Sequence, residues 1–138
     1  MAVKTRWYIQ DAVIYVKFWG ETTVDDMRQF IQDAYELSDQ SDRSLVHVIA
    51  DSSRVTKGVN IKDVMKTLSN VKPHPKAGWN ITIGEKDKLI RFTTDVARQL
   101  LRVRTRSFNT IDEAVTFLKD IDPSIDWDKA NKMVLVEE

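Results

Sequence analysis

Apolar residues recur along this chain in two rhythms, a period of two and a period of three to four, and the rhythms take turns. Val13 to Trp19 alternates, with Val13, Tyr15, Lys17 and Trp19 on one side and Ile14, Val16 and Phe18 on the other. Such alternation predicts a strand. Thr5 to Ile9 precedes it across the short polar turn Gln10-Asp11-Ala12, so the two strands are expected to form an antiparallel hairpin. After Gly20 the period lengthens: Val24, Met27, Ile31 and Ala34, widened by Phe30 and Leu37, trace one face of a helix. Thr22 or Thr23 can cap it, and Asp25 and Asp26 sit in its first turn, at the positive end of the helix dipole.

The stretch Leu45-Val46-His47-Val48-Ile49-Ala50 is nearly all apolar and bounded by polar residues, the pattern of a strand buried on both faces. A loop from Asp51 is expected to reach Asn60, which caps a short helix with Ile61, Val64, Met65 and Leu68 inward. Two prolines make Lys72 to Lys76 a loop. Trp79 to Ile83 reads as a strand closed by Gly84. Asp87 to Val103 reads as a helix with Leu89, Phe92, Val96, Leu100 and Val103 inward, and Thr105 to Phe108 as a last short strand. Thr110-Ile111-Asp112-Glu113 is a capping box ahead of Ala114, Val115 and Leu118. The order β-β-α-β-α-β-α-β-α predicts an α/β fold: a mixed, mostly parallel central sheet with an N-terminal hairpin and about four helices. Residues 1–122 make one domain, and residues 123–138 a tail in which Met133 to Val136 is β-prone. That segment is expected to add a strand to an exposed sheet edge of its own chain or, reciprocally, of a second copy in a homodimer.

Composition narrows the function classes. At 138 residues one core suffices. Lys+Arg and Asp+Glu are equal at 21 each, so no net field recruits nucleic acid or an anionic membrane. No cysteine is present, which removes thiolate catalysis and zinc-thiolate sites. With only two histidines and no ligand cluster, neither a metal nor a cofactor is expected. The N-terminal residues carry no long apolar run and no segment suits membrane insertion, so a cytoplasmic location is expected.

Candidate chemistry is sparse. Asp51, Ser52 and Ser53, followed by Asn60 at a helix start, lie where open α/β sheets often bind ligands, beyond the end of a central strand. Equally, such residues cap their own backbone amides. A Ser53-His47-Asp51 catalytic set is not supported, because strand alternation does not bring His47 beside Ser53. His74 stands between Pro73 and Pro75 in a loop, where it is expected to be solvated. Arg91, Arg98 and Arg102 recur at helical spacing, with Arg104 and Arg106 following, and Asp95 placed to pair with Arg91 or Arg98. This basic face, Arg98 and Arg102 in particular, is the candidate for contact with an acidic partner. Trp7, Trp19, Trp79 and Trp127 serve the core or a pocket rim.

The element order, the strand ending Ile49-Ala50-Asp51-Ser52-Ser53 and the closing run Phe108-Asn109-Thr110-Ile111-Asp112-Glu113-Ala114-Val115-Thr116-Phe117-Leu118 resemble the STAS fold over about residues 5–122. More narrowly they resemble its uncharacterised bacterial SpoIIAA-like branch, related in fold to the CRAL-TRIO lipid-binding domains. The resemblance implies a non-catalytic regulatory or protein-interaction module with a protein partner; the CRAL-TRIO kinship implies, as the alternative, a carrier or sensor of a small apolar ligand. Anti-sigma factor antagonists are switched by phosphorylation in an Asp-Ser-Ser/Thr-Gly motif that opens the second helix. Asp51-Ser52-Ser53 departs from it, since Arg54 stands in place of Gly and the helix starts several residues later, near Val59-Asn60-Ile61, which has no hydroxyl. The switch is therefore not expected here.

Overall fold

Alternation in the first two strands closes a hairpin, as expected. In the computed structural model, which describes residues 2–136, β1 (Val3–Ile9) pairs antiparallel with β2 (Val13–Glu21), Val3 opposite Phe18 and Trp7 opposite Ile14. The chain continues through α1 (Val24–Gln40), β3 (Val46–Lys57), α2 (Ile61–Leu68), β4 (Ala77–Ile83), α3 (Lys88–Leu101), β5 (Arg104–Phe108) and α4 (Ile111–Ile121). The five strands stand in chain order, β1-β2-β3-β4-β5, and every pairing after the hairpin is parallel. The predicted mixed, mostly parallel sheet with four helices is what forms. Because the order never reverses, the sheet has no switch point at which a ligand crevice would open.

Strand alternation divides the core. Val13, Tyr15, Ile49, Ile81 and Ile83 pack on one face against Ala114 and Leu118 of α4. Ile14, Val46 and Val48 turn to the other face, against Phe30, Ala34 and Leu37 of α1. Both strongly capped helices start where the sequence says. The Thr23 hydroxyl accepts from the Asp26 amide at 3.2 Å, and the buried Asp26 carboxylate accepts from the Thr23 amide at 2.9 Å. Thr110 accepts from the Glu113 amide at 3.2 Å.

Three expectations are corrected. First, β3 does not stop at Ala50 but runs on to Lys57 alongside Trp19, Gly20 and Glu21 of β2, so Asp51, Ser52 and Ser53 are strand residues rather than a loop. Second, α3 buries a different face: Leu89 and Phe92 are 72% and 57% exposed, while Thr93 and Arg98 are buried. Third, the described part of the tail, residues 123–136, makes no strand. It folds into two short 3-10 turns, Trp127–Lys129 and Lys132–Leu135. The Asp126 and Asn131 side chains cap these turns by accepting from the Asp128 and Met133 amides, each at 3.1 Å. A local side-chain acceptor offers the backbone an alternative to a ladder. The Asn131 amide donates to the Tyr8 carbonyl at 2.7 Å, and Ile125 and Val134 are buried in the α4-side core. The tail thus closes the domain that the sequence assigned to residues 1–122, and the strand that copies would have exchanged does not form. Residues 137–138 lie outside the described residues.

Candidate functional site

At the end of the central strands, β2 advances two residues from Lys17 to Trp19 while β3 advances three, from Asp51 to Arg54. The extra residue is a bulge. Asp51 is fully engaged there: Oδ2 accepts from the Tyr15 hydroxyl at 2.5 Å, and Oδ1 accepts from the Ser53 amide and hydroxyl at 2.9 and 2.6 Å. Burial, then the bond to Asp51, pushes the Tyr15 hydroxyl far above its ordinary value, so it stays a donor. Ser53 also presses on Gly84: a Cβ built there would lie 2.6 Å from the Ser53 Cβ. The Asp51 and Ser53 side chains therefore satisfy their own strand at the bulge. Asn60 does the same for α2, its Oδ1 accepting from the Lys62 amide at 2.8 Å.

Ser52 faces the other way, into a cleft between the sheet and helices α1, α2 and α3. Small and polar residues stand where large apolar ones would fill the space: Ala50 and Ser52 from β3, Asn80 and Thr82 from β4, Thr93, Thr94 and Ala97 from α3. The result is a half-open cavity of about 140 Å³ walled by Phe18, Met27, Phe30, Val55, Ile90 and Leu101.

Arg98 lines this cleft too, and it is not the surface residue the helical spacing suggests. Its side chain is 6% exposed; Nη2 lies 3.7 Å from Oε1 of the equally buried Glu85, Nη1 lies 3.5 Å from Asp95, and Nη1 donates to the Ser107 hydroxyl at 3.3 Å. Of the two predicted pairings of Asp95, the one with Arg98 forms. Burial pushes the Glu85 carboxyl above its ordinary value, with Arg98 opposing most strongly. Arg98 Nε and Nη2, both Glu85 carboxylate oxygens and Thr82 Oγ1 are buried without a hydrogen-bond partner of good geometry. Arg102 is exposed and ends α3 in the left-handed region, φ 56°. The expected basic face therefore loses Arg98 to the interior, and Arg106 to Phe117, over whose ring it sits at 4.9 Å. Of the six candidate residues, the fold brings Ser52 and Arg98 to the cleft and ties Asp51 to Ser53 on the other face of β3, leaving Asn60 and Arg102 apart.

Two histidine readings resolve as well. His47 points away from the cleft, with Nδ1 accepting from the Trp79 amide at 2.9 Å and Nε2 lying 2.9 Å from Asp122 Oδ2. Only the neutral ring protonated at Nε2 satisfies both contacts. His74 is held rather than solvated: Nε2 bonds Asp39 at 2.7 Å, and Tyr35 stands edge-on at 5.0 Å. Trp79 packs on Phe117 against the core. Among the described residues no group of three or more His, Cys, Asp or Glu is placed to hold a metal ion, and no helix is long and apolar enough to cross a membrane.

His47 gives a pH prediction. Burial lowers its pKa below the ordinary 6.5, outweighing Asp122. A group depressed in the folded state stabilises fully above its unfolded pKa, and that stability is lost as pH falls. Because the raised Glu85 pKa acts in the opposite sense, adding stability as pH falls, the His47 part is read against a His47→Gln chain: the advantage of wild type in melting temperature should hold above about pH 6.5 and shrink below it. An advantage unchanged from pH 7.5 to 5 would contradict this.

No family model matches the chain, and no curated protein sequence does. Solved structures do. An uncharacterised DUF3478-family protein of SpoIIAA-like fold from Shewanella loihica PV-4 superposes with a TM-score of 0.57 at 18% identity, over 85% of this chain and 93% of that one. The anti-sigma factor antagonist SpoIIAA, in its unphosphorylated form, gives 0.57 at 14% identity, over 86% of this chain and 97% of its own. The chain has the SpoIIAA-like, STAS-type fold. In this SpoIIAA-like domain the residues opening α2, Val59-Asn60-Ile61, carry no hydroxyl.

Proposed function

We propose that the chain is a non-catalytic regulatory module of the cytoplasm that acts by binding a protein partner and has no phosphoacceptor switch. The observation that carries this reading is the SpoIIAA-like fold combined with Asp51 capturing the Ser53 amide and hydroxyl at the bulge in β3. The Ser53 hydroxyl already donates at 2.6 Å to the Asp51 carboxylate, and that negative charge beside it repels an incoming phosphate. The test compares wild type with Ser52→Ala/Ser53→Ala and Ser53→Asp chains expressed in the native host, followed by affinity capture and phosphate mapping. The same partner should be retained at equal yield by all three, with both serines unmodified. Stoichiometric phosphate at either serine, with altered capture by Ser53→Asp, would overturn the reading.

A second reading, a sensor or carrier of a small apolar ligand, is favoured by one observation, the apolar-walled cleft between the sheet and α1, α2 and α3. Pockets of this kind, apolar with a few convergent polar groups, are the default small-molecule sites of a fold. It is compatible with the first, since a ligand there would bear on the packing of three helices.

A further inference from the structure

The polar atoms in the cleft say more than its apolar walls do. Thr82 is 1% exposed and Arg98 5%; both line the cavity, and Thr82 Oγ1 and Arg98 Nε and Nη2 reach no hydrogen bond of good geometry, although they share the neighbouring Glu85 carboxylate, whose Oε1 lies 3.7 Å from Nη2. A buried donor or acceptor left unmatched is costly, and a ligand that matches it recovers that cost on binding. Charge decides which head group fits. Around Arg98 the ionic groups are Glu85 at 3.7 Å and Asp95 at 3.5 Å, with Arg91 at 3.8 Å from Glu85, so two positive charges meet two negative ones. No net positive field is left for a carboxylate or phosphate, and a cation would meet the guanidinium.

We infer that the cleft binds a small, mainly apolar molecule ending in an uncharged head that both donates and accepts, a hydroxyl or a primary amide. The head donates to Thr82 Oγ1 and accepts from Arg98, and the apolar body lies among Phe18, Met27, Phe30, Val55, Ile90 and Leu101. A cavity of about 140 Å³ matches a single six-membered ring. This rests on the small-molecule reading above and narrows it to a ligand class.

The experiment titrates the full chain, followed by amide resonances, with cyclohexanol, benzene and cyclohexanecarboxylate. Cyclohexanol should saturate with shifts confined to cleft residues, bind about fivefold or more tighter than benzene, and leave the carboxylate weakest. Thr82→Val keeps the shape and removes an oxygen that makes no hydrogen bond of good geometry, so it should still fold and lower cyclohexanol affinity about fivefold or more while sparing benzene. Ala97→Leu, which fills the cavity from α3, should abolish binding of both. If benzene and cyclohexanol bind equally in wild type and Thr82→Val, the apolar-ligand reading stands and the head-group inference falls. A carboxylate that binds tightest overturns the charge argument. No saturable binding by any probe, or binding untouched by Ala97→Leu, removes the site altogether.

Discussion

Replacing Gly78 by alanine is expected to cost about 3 kcal/mol or more of stability, the sum of overpacking and of a buried hydrogen bond displaced. An added Cβ would lie 2.5 Å from His47 Nδ1, 2.9 Å from its Cε1 and 3.0 Å from the Val46 carbonyl oxygen. None of these can retreat. The Val46 oxygen is backbone of a central strand, and the His47 ring is pinned by the Trp79 amide on one side and Asp122 on the other. Moving the ring unpairs groups inside the core. Urea unfolding of Gly78→Ala should show a midpoint far below that of wild type, and a loss under 1 kcal/mol would mean that the ring has room to move. Gly84 belongs to the same class: its φ is +74°, and a Cβ there meets Ser53 Cβ at 2.6 Å and Cα at 3.0 Å. At both glycines a β4-side Cβ would collide with β3, at the start of β4 and just past its end.

Much of the fold was legible because its elements carry one unambiguous period. β2 alternates through Val13, Ile14, Tyr15 and Val16, all of which are buried. Thr23 with Asp26 and Thr110 with Glu113 announce helix starts by local chemistry that tertiary structure has no reason to override. α3 misled because it carries two apolar stripes. Leu89, Phe92, Val96, Leu100 and Val103 form the larger one, which the spacing predicts inward; Ile90, Thr93, Thr94, Ala97 and Leu101 line the cleft instead. The face that turns inward also carries Arg98, which meets Glu85, just past β4, at 3.7 Å. A contact of that kind has no periodicity to betray it.

The candidate site followed the same logic. Asp51, Ser52 and Ser53 look like a reactive cluster when read consecutively, but a strand sends neighbours to opposite faces. Asp51 and Ser53 turn to Tyr15 while Ser52 turns to the cleft. Thr82 has its own signal in the sequence: β4 alternates Trp79, Ile81 and Ile83 with Gly78, Asn80 and Thr82. A buried strand with one small, polar side announces a space on that side. The tail carried a signal as well, since Asp126 and Asn131 stand at cap positions of short turns, and that chemistry outweighed the β propensity of Val134, Leu135 and Val136.

Arg98→Met is expected to have the largest effect of any single change, about 3–5 kcal/mol at pH 7, because it leaves the Glu85 carboxylate buried without its partner. The Glu85 side chain is 1% exposed, and its other cation, Arg91, is 53% exposed and 3.8 Å away, too solvated to compensate. Adding Glu85→Leu to Arg98→Met should recover most of the loss, since a buried ion pair replaced by packed apolar groups is often neutral or better. The pH dependence separates this account from loss of packing. Glu85 has a folded pKa raised above its ordinary 4.5, and removing Arg98, its chief opposing charge, raises it further. A carboxyl raised in the folded state contributes stability that is fully present below its unfolded pKa and lost as pH rises through its folded pKa. The deficit of Arg98→Met against wild type should therefore be small near pH 4.5, grow through the folded pKa, and level off above it. Urea titrations at pH 4.5, 6 and 7.5 on wild type, single and double variants measure all three. A deficit independent of pH, or a double variant no more stable than the single one, would show that Arg98 holds the helix by packing and that the Glu85 charge does not set its orientation.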